Sequence, residues 1–251
     1  MEKLTAIIPT GNEEHNIIAA IKSVDFADEI MIVDSFSKDN TVKLATPLAH
    51  TILHREYKNS ASQKNWAIPQ AKHKWILLLD ADERVTPELR KEVTDTINSK
   101  SGISGFWIRR QNYFMDRKVR FSGWRGDKVI RLFKRDECRY EDKHVHSEII
   151  SNGKICSLNN KLIHNTFISK QAYQNKLNRY AQWQARDYDK KTKRITAFHL
   201  LLKPMIRFLK HYFIQLGILD GYVGLSISLY QAKAVAMRYK YLQKFRDEER
   251  N

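Results

Sequence analysis

The chain has 251 residues, of which 42% are hydrophobic and 29% charged, a composition typical of a folded globular protein that excludes a disordered one. Two cysteines, Cys138 and Cys156, are too few for a disulfide framework or a cysteine-rich zinc module, so we expect reduced thiols. The net charge of +16 favours anionic partners. Residues 160–251 carry 18 Lys and Arg against 6 Asp and Glu, whereas residues 1–159 carry 26 against 22.

The N-terminal part alternates between short apolar runs and segments with helical spacing. The predicted strands are 4–9, 29–34, 51–54 and 75–80. The predicted helices are 13–24, 39–48, 60–71 and 86–98, the last with Thr86 as its N-cap. Such alternation is typical of βαβ units, and it predicts an α/β fold with a mostly parallel sheet.

The pattern changes after about residue 104. Three β-rich segments, separated by glycine-containing turns, predict further strands at 105–110, 128–134 and 162–167. The remainder has helical spacing, with predicted helices at 171–191, 197–219 and 222–241. We therefore predict two parts, an α/β domain over residues 1–168 and a helical extension over residues 169–251.

Acidic and polar residues follow three of the predicted strands, at 10–14, 34–39 and 80–83. Ligands bind outside the carboxyl ends of parallel strands, so these segments predict one binding edge. Asp80 and Asp82 are separated by one residue after a buried strand, so both carboxylates can face one Mg²⁺ or Mn²⁺ ion. The alternative is that these acids are only solvated loop or capping residues.

Four blocks, IIPTGNEE, IVDSFSKDNT, SQKNWAI and LLLDADE, together resemble the N-terminal half of the family 2 glycosyltransferases. The later blocks RLFKRDECRYEDKHVHSEI, LIHNTF and KLNRYAQWQA resemble the branch that builds bacterial lipopolysaccharide cores and related surface polysaccharides. The resemblance implies a GT-A (Rossmann-like) catalytic domain over 1–168, with a mixed, mostly parallel sheet flanked by helices. It also implies a nucleotide-sugar donor and a divalent cation held at a DxD-type motif.

The resemblance carries over to individual residues. Those that would border the donor nucleotide and its diphosphate are Pro9, Thr10, Asn12, Glu13, Asp34, Asp39, Lys64 and Asp80. Those that would bind the cation are Asp82, as the more direct ligand, Asp80 and His164. Gly11 stands where the family often has an aromatic residue, so no residue is assigned to base stacking.

Each of these roles has a structural alternative. In the alternative, Asp39 does not bind the nucleotide but only caps the helix that follows it, and Lys64 lies on a solvated helix face. Glu83 is expected to cap the first turn of the next helix, and His164 would be a hydrogen-bonded core residue. Arg131 is expected to border the acceptor region.

An inverting transfer needs a carboxylate that takes the proton of the acceptor hydroxyl. The resemblance points to Asp142 as this base, with Glu141 and Glu148 as alternatives. The related branch has Val-His-Glu, but here Ser147 displaces Glu148 by one position, which would turn its side chain to the other face of a strand. These acids would otherwise pair only with neighbouring arginine or lysine residues.

The C-terminal extension combines basic and apolar residues. No run reaches 18 uncharged apolar residues, so we expect no transmembrane helix. Lys203, Arg207 and Lys210 predict a basic stripe on a helix lying in the plane of an anionic membrane surface. The alternatives are a core helix and a contact with a second copy of the chain. The N-terminus lacks signal-peptide features, so we expect a cytoplasmic protein, peripheral on the inner face of the plasma membrane.

The predicted function is the metal-dependent, inverting transfer of a sugar from a nucleotide sugar to a glycolipid or lipopolysaccharide-core saccharide. UDP is the nucleotide expected in the donor. No nucleic-acid partner is expected, because RRM, KH and zinc-finger signatures are absent from the sequence. A homo-oligomer is left open. A nucleotidyltransferase is the enzymatic alternative, although the acidic segment 10–14 lacks its Gly-rich basic phosphate loop. The second alternative is a non-catalytic module that binds anionic lipid or RNA.

Overall fold

The computed structural model describes residues 1–99, 102–141, 148–167 and 170–249. The chain divides into two compact units. The first comprises residues 1–111 and 127–164, and the second comprises residues 112–126 and 165–251. The predicted boundary at residue 168 therefore lies close to the observed change of unit, but the segment 112–126 joins the C-terminal helices rather than the domain in which the sequence suggested it.

The first unit begins with four parallel strands in the order β3-β2-β1-β4. Their bounds are β1 Leu4–Thr10, β2 Glu29–Asp34, β3 Thr51–His54 and β4 Trp75–Leu78. The helices that follow them are α1 Ile17–Ser23, α2 Thr41–Ala45, α3 Ser60–Ala67 and α4 Pro87–Asn98. Thr86 caps α4 by accepting a hydrogen bond from the backbone N–H of Leu89 (3.2 Å). The predicted βα alternation is confirmed.

The sheet then continues in a mixed pattern, in the order β4-β8-β6-β11-β5, with β7 paired to β6. The additional strands are β5 Glu83–Arg84, β6 Ile103–Phe114, β7 Arg117–Lys118, β8 Lys128–Lys134 and β11 Lys154–Phe167. β8 is antiparallel to both β4 and β6, so β6 runs in the same direction as β1–β4. A separate hairpin consists of β9 Cys138–Tyr140 and β10 Ile149–Ser151. The mixed sheet flanked by helices confirms the predicted fold class.

Apolar residues on both faces of the sheet explain why its central strands are continuous hydrophobic runs. Along β1, Ile8 packs into a core on one face and Ile7 into a core on the other. All six residues of β2 are buried, as expected for a strand covered by helices on both sides. The strand ends are consequently the positions at which polar residues of these runs can meet solvent.

The second unit is helical outside its short β segments. It contains α5 Lys170–Asp189, α6 Lys203–Leu209 and α7 Gly221–Glu248, with π-helical turns at Phe198–Leu202 and Lys210–Ile214. A 3₁₀ turn at Gly217–Asp220 precedes α7. The predicted helix 197–219 is thus irregular, and Pro204, which has no N–H to donate, lies in the first turn of α6.

In the described part of the chain, no individual helix has the length and hydropathy that a membrane crossing requires. The segments Phe198–Ile214 and Gly217–Glu248, which are bent by 70° relative to one another, meet that criterion only when they are taken together.

Candidate active site

Asp34 organises the loop after β2. Its carboxylate, 1% exposed, accepts hydrogen bonds from the backbone N–H of Ser37 (3.0 Å) and from the Ser37 hydroxyl. His54 Nδ1 lies 3.3 Å from the Asp34 Oδ2 atom. The carboxylate is therefore held in one orientation at the carboxyl end of β2, where the resemblance expected contact with the nucleotide.

The loops after β1 and β2 are joined by hydrogen bonds from short polar side chains. Asn12 N–H donates to Ser37 Oγ (2.9 Å), and Asn12 Oδ1 accepts from the Lys38 N–H (2.8 Å). Glu13 N–H donates to Thr41 Oγ1 (2.7 Å). These bonds occupy the segments in which longer helices were predicted, and so α1 begins only at Ile17 and α2 only at Thr41.

Asp39 bonds to the backbone at the start of α2, where Asn40 is the cap residue. Its carboxylate accepts hydrogen bonds from the Thr41 N–H (3.0 Å) and from the Glu14 N–H (3.1 Å). Burial raises the pKa of Asp39, but these hydrogen bonds outweigh it and leave the pKa below its usual value. Asp39 thus positions the two loops, and its predicted contact with the nucleotide stays a prediction.

Two groups at this edge, the Thr10 hydroxyl and the Phe36 ring, take no part in the hydrogen bonds that join the described loops. Pro9 pairs with Val33 in the sheet, and next to it the Thr10 hydroxyl is buried without a hydrogen-bond partner among the described residues. The Phe36 ring is 59% exposed, and its backbone has a left-handed φ of 57°. Such a conformation is rare for a bulky residue and is often found at functional sites.

Phe36 also stacks on His54, with ring centroids 5.8 Å apart and an interplanar angle of 27°. An exposed aromatic face thus lies beside the Asp34 carboxylate that His54 contacts. The sequence left base stacking unassigned because of Gly11. The available signal was the phenylalanine within IVDSFSKD, a loop position at which an apolar ring has no core to fill.

Asp80, just after β4, is the centre of a group of ion pairs, here named the Asp80 cluster. Lys64 Nζ lies 3.0 Å from Asp80 Oδ1, and Arg131 pairs with Oδ2. Both cations are nearly buried, with 9% and 3% of their side chains exposed. Burial raises the pKa of Asp80, but the charges of Arg131 and Lys64 outweigh it and hold the pKa well below its usual range. Lys64 is therefore a member of the site rather than a solvated helix residue.

Glu83 completes this cluster. Its fully buried carboxylate accepts from the Asp80 N–H (3.0 Å) and lies 2.9 Å from Arg131 Nη2. Arg110 Nη1 is 3.4 Å from the same carboxylate, while Arg110 also pairs with Asp127 at 2.9 and 2.7 Å. The expected capping role of Glu83 is therefore not observed, because β5 turns this residue towards the arginines. Arg131 belongs to the same cluster, and its predicted position beside the acceptor stays a prediction.

Asp82 lies beside His164. Its Oδ2 atom is 3.4 Å from His164 Nε2, and the two side chains are 27% and 13% exposed. The contact follows from the antiparallel pairing of β5 with β11, in which Glu83 lies opposite His164. The structure thus brings together Asp82 and His164, two of the three residues predicted to bind the metal.

These donors fit a partial site for a divalent cation. Among the described residues, no three His, Cys, Asp or Glu side chains converge on one point. Mg²⁺ and similar ions bind nucleotides through one or two protein ligands, and phosphate oxygens and water complete the shell. Each oxygen of Asp80 already contacts one cation, Lys64 or Arg131, so as a metal ligand Asp80 would share its remaining lone pairs with the ion.

The charge of Asp82 contributes to the raised pKa of a neighbouring acid, Glu13, and the charge of Arg84 opposes it. Burial, and then the charges of Asp82 and Asp39, raise the pKa of Glu13, although its hydrogen bond from Asn16 (2.8 Å) opposes this. A bound cation would relieve this repulsion.

The three candidate bases lie, in sequence, between β9 and β10. Glu141 N–H donates to the Glu148 carbonyl (2.9 Å), which extends the hairpin, and Asp142 lies outside the described residues. Asn65 on α3 bonds to both the N–H and the C=O of Tyr140 (2.8 Å each), and the Tyr140 ring is 5.2 Å from Lys64 Nζ. The end of β9 at Tyr140 is therefore anchored next to the Asp80 cluster.

Comparison with known proteins identifies the family. Residues 5–153 match the model of glycosyl transferase family 2, and the chain belongs to that family. An uncharacterized glycosyltransferase of Rickettsia felis is 30% identical over 97% of this chain and 90% of its own length. The lipopolysaccharide core biosynthesis glycosyltransferase LpsC of Rhizobium meliloti is 28% identical over 84% of this chain and 80% of its own.

A solved structure, residues 1–349 of Staphylococcus aureus TarS, is 15% identical, with 98% of this chain and 92% of that chain covered and a TM-score of 0.47. The family match identifies the chain as a glycosyltransferase, in agreement with the GT-A fold class that its mixed sheet and flanking helices define. This decides against the nucleotidyltransferase and the non-catalytic module.

The buried cluster leads to a prediction about stability. Replacing Arg131 by Met leaves the Glu83 carboxylate buried without its main cation, so we expect the free energy of unfolding to fall by about 3–5 kcal/mol. Adding Glu83→Gln, which keeps an oxygen for the Asp80 N–H, should recover part of this loss. Urea denaturation measures both effects. Lys91→Met, in the exposed pair with Asp95, should leave the midpoint unchanged; an equal shift there would contradict the argument.

Proposed function

We propose that this glycosyltransferase moves a sugar from a UDP-sugar to a lipid-linked or lipopolysaccharide-core saccharide, with inversion and with the help of a divalent cation. The observation that carries the proposal is the arrangement at the carboxyl ends of β1, β2 and β4. There, Asp82 lies beside His164 of β11, and Asp80, which follows the same strand as Asp82, holds two buried cations.

The nucleoside half of the donor would lie against the loops after β1 and β2. Asp34 has the fixed carboxylate that can accept from a uracil N–H or a ribose hydroxyl, and the Thr10 hydroxyl is buried without a partner among the residues described. The exposed Phe36 ring, supported by His54, has the geometry for stacking on a base. Phe36 therefore takes the stacking role for which Gly11 has no side chain.

The diphosphate would lie near the second acid cluster. Asp82 and His164 would hold the cation, which supplies neutralisation of the charge on the departing nucleoside diphosphate. Lys64 and Arg131 add two positive charges that Asp80 and Glu83 keep in place before a ligand binds. Charges that are fixed in advance stabilise a leaving group without reorganisation during the reaction. In this proposal Asp80 positions these two cations. The alternative role of Asp80 is that of a further metal ligand.

The acceptor hydroxyl requires a base, and the paired strands β9 and β10 are the described elements nearest in sequence to the predicted acids. Tyr140, two residues before Asp142, contacts α3 next to Lys64. We retain Asp142 as the base, with Glu141 and Glu148 as the alternatives, and the backbone bond between the latter two places them opposite one another.

The acceptor class rests on the likeness to LpsC, whose name specifies lipopolysaccharide core biosynthesis. A lipid-borne acceptor suits an enzyme that lies peripherally on the inner face of the plasma membrane, where nucleotide sugars of the cytoplasm reach its active site. The excess of Lys and Arg in residues 160–251 suits an anionic surface. Assembly into a homo-oligomer stays a prediction without a specific contact to support it.

The metal assignment is tested by Asp82→Asn. We expect donor turnover to fall at least about 100-fold and Mn²⁺ affinity to fall by about 10- to 100-fold, because a neutral amide is a poor cation ligand. Release of UDP from the UDP-sugar that the wild type accepts, together with calorimetric titration of Mn²⁺, measures both. Asp95→Asn, on the exposed side of α4, is the matched control. Unchanged, metal-dependent UDP release by Asp82→Asn would refute the role.

The stacking role is tested by Phe36→Gly. Glycine accepts the left-handed backbone at this position, so the substitution removes the ring without straining the loop. Base stacking contributes about 1–3 kcal/mol, so we expect UDP affinity to fall about 10-fold or more, with kcat at saturating donor preserved. Phe36→Tyr keeps the ring and should bind UDP like the wild type. Equal UDP affinity in all three proteins would show that the ring does not contact the base.

The base is tested by comparing Asp142→Asn, Glu141→Gln and Glu148→Gln. We expect only Asp142→Asn to reduce kcat, by about 100-fold or more, while the dissociation constant for UDP with Mn²⁺ stays at the wild-type value. Single-turnover transfer and calorimetry separate these quantities. Full transfer activity in Asp142→Asn would exclude this residue, and a selective loss in either glutamate variant would assign the base to that glutamate instead.

A further inference from the structure

The segment 198–222 of the second unit has an outward apolar face, here named the apolar corner because it spans the bend before α7. It is represented by Leu201, Ile206, Phe213, Ile214, Ile218 and Leu219. Leu201 and Ile214 are 72% and 77% exposed, and every one of the six is at least 47% exposed. An apolar surface of this extent is unusual in a chain that meets only water, and it marks a contact with a partner or a membrane.

Two basic residues of the same segment, Lys203 and Arg207, face α7. Lys203 Nζ donates to the Tyr239 hydroxyl (2.8 Å) and lies 5.0 Å from the centre of that ring, while Arg207 Nη2 lies 3.3 Å from Gln231 Oε1. Both partners are on α7, and burial lowers the pKa of Arg207. The predicted lipid-facing stripe of Lys203, Arg207 and Lys210 is therefore wrong for Lys203 and Arg207, whereas Lys210 is exposed. The polarity of the segment is the reverse of that of a helix on a water-soluble surface.

The apolar corner is held by a specific set of bonds. The Asp220 carboxylate accepts from the N–H groups of Arg120 and Phe121 (2.9 Å each) and from the Ser122 hydroxyl (2.7 Å). A Cβ on Gly224 would lie 1.8 Å from the Gly217 carbonyl oxygen, so the turn packs against α7 as closely as a glycine allows. The apolar side chains therefore belong to a turn whose shape is fixed by hydrogen bonds and close packing.

Positive charges border the apolar corner. Residues 190–219 contain seven Lys and Arg and no Asp or Glu, and Lys193 and Arg194 are exposed just before Phe198. At the other end, Lys170 Nζ donates to the Tyr222 hydroxyl (2.7 Å), and the exposed Arg120 adjoins the Asp220 bonds. An apolar centre with a cationic rim complements acyl chains below anionic headgroups. Two copies of this surface facing each other would instead bring their cationic rims together.

We propose that the apolar corner inserts into one leaflet of an anionic membrane, with the flanking lysines and arginines at the headgroups. The inference goes beyond sugar transfer, because it uses only contacts within the second unit. It assigns the lipid contact to the outward leucine, isoleucine and phenylalanine side chains, and it assigns Lys203 and Arg207 to the packing of the segment on α7.

The test is flotation of the full chain with phosphatidylglycerol-containing vesicles and with pure phosphatidylcholine vesicles. The wild type should float with the anionic vesicles and should stay partly bound after a high-salt wash, because apolar insertion is not screened. The double variant Leu201→Gln/Ile214→Gln should bind at least about 10-fold less. Ile150→Gln, an equally apolar residue that is 56% exposed in the first unit, is the matched control and should bind like the wild type.

Three results would overturn the proposal. These are equal flotation of the double variant and the wild type, complete release of the wild type by salt, and a wild-type dimer in solution that the double variant abolishes without any vesicle binding. UDP release from donor alone should be the same in the wild type and the double variant. Failure of membrane insertion is therefore distinguishable from failure of the proposed glycosyl transfer.

Discussion

The Asp80 carboxylate accepts from Lys64 and Arg131 at the same time, and the rest of the active site depends on this double contact. A buried cation without a partner is unfavourable by several kcal/mol, so neither side chain would be stable in this position alone. Glu83 adds a second carboxylate and also accepts from the Asp80 backbone. The positive charges are consequently fixed by the fold, and a diphosphate would meet them already oriented.

The loops at this edge combine two kinds of polar residue. Asn12, Ser37, Thr41 and Asp39 bond mainly to the backbone of the neighbouring loop, as short polar side chains do in turns. Much of the polarity in the IIPTGNEE and IVDSFSKDNT blocks therefore maintains loop shape. Because those bonds restrain the backbone, a few groups remain for a ligand, among them the Thr10 hydroxyl and the Phe36 ring.

Local pattern was sufficient for the four parallel strands, for the presence of the helices that follow them and for the edge at which the acids meet. It was insufficient for contacts between distant segments. Arg131 reaches Asp80 because β8 pairs with β4, with Leu132 opposite Leu77, and His164 reaches Asp82 because β11 pairs with β5. Periodicity identifies a strand but does not specify its neighbour or its register. The left-handed backbone of Phe36 was equally hidden, since that conformation is usually associated with glycine.

The segment 198–214 shows a different limit of sequence patterns. Apolar and basic residues at helical spacing define two faces but do not say which one is turned towards the protein. Here α7 decides, because it offers the Tyr239 hydroxyl and the Gln231 amide to Lys203 and Arg207. Had α7 offered only apolar side chains at these positions, burial of Leu201 and Ile206 would have been favoured. The outward apolar face is thus a property of the helix pair, and a reader of one helix alone would assign the opposite orientation.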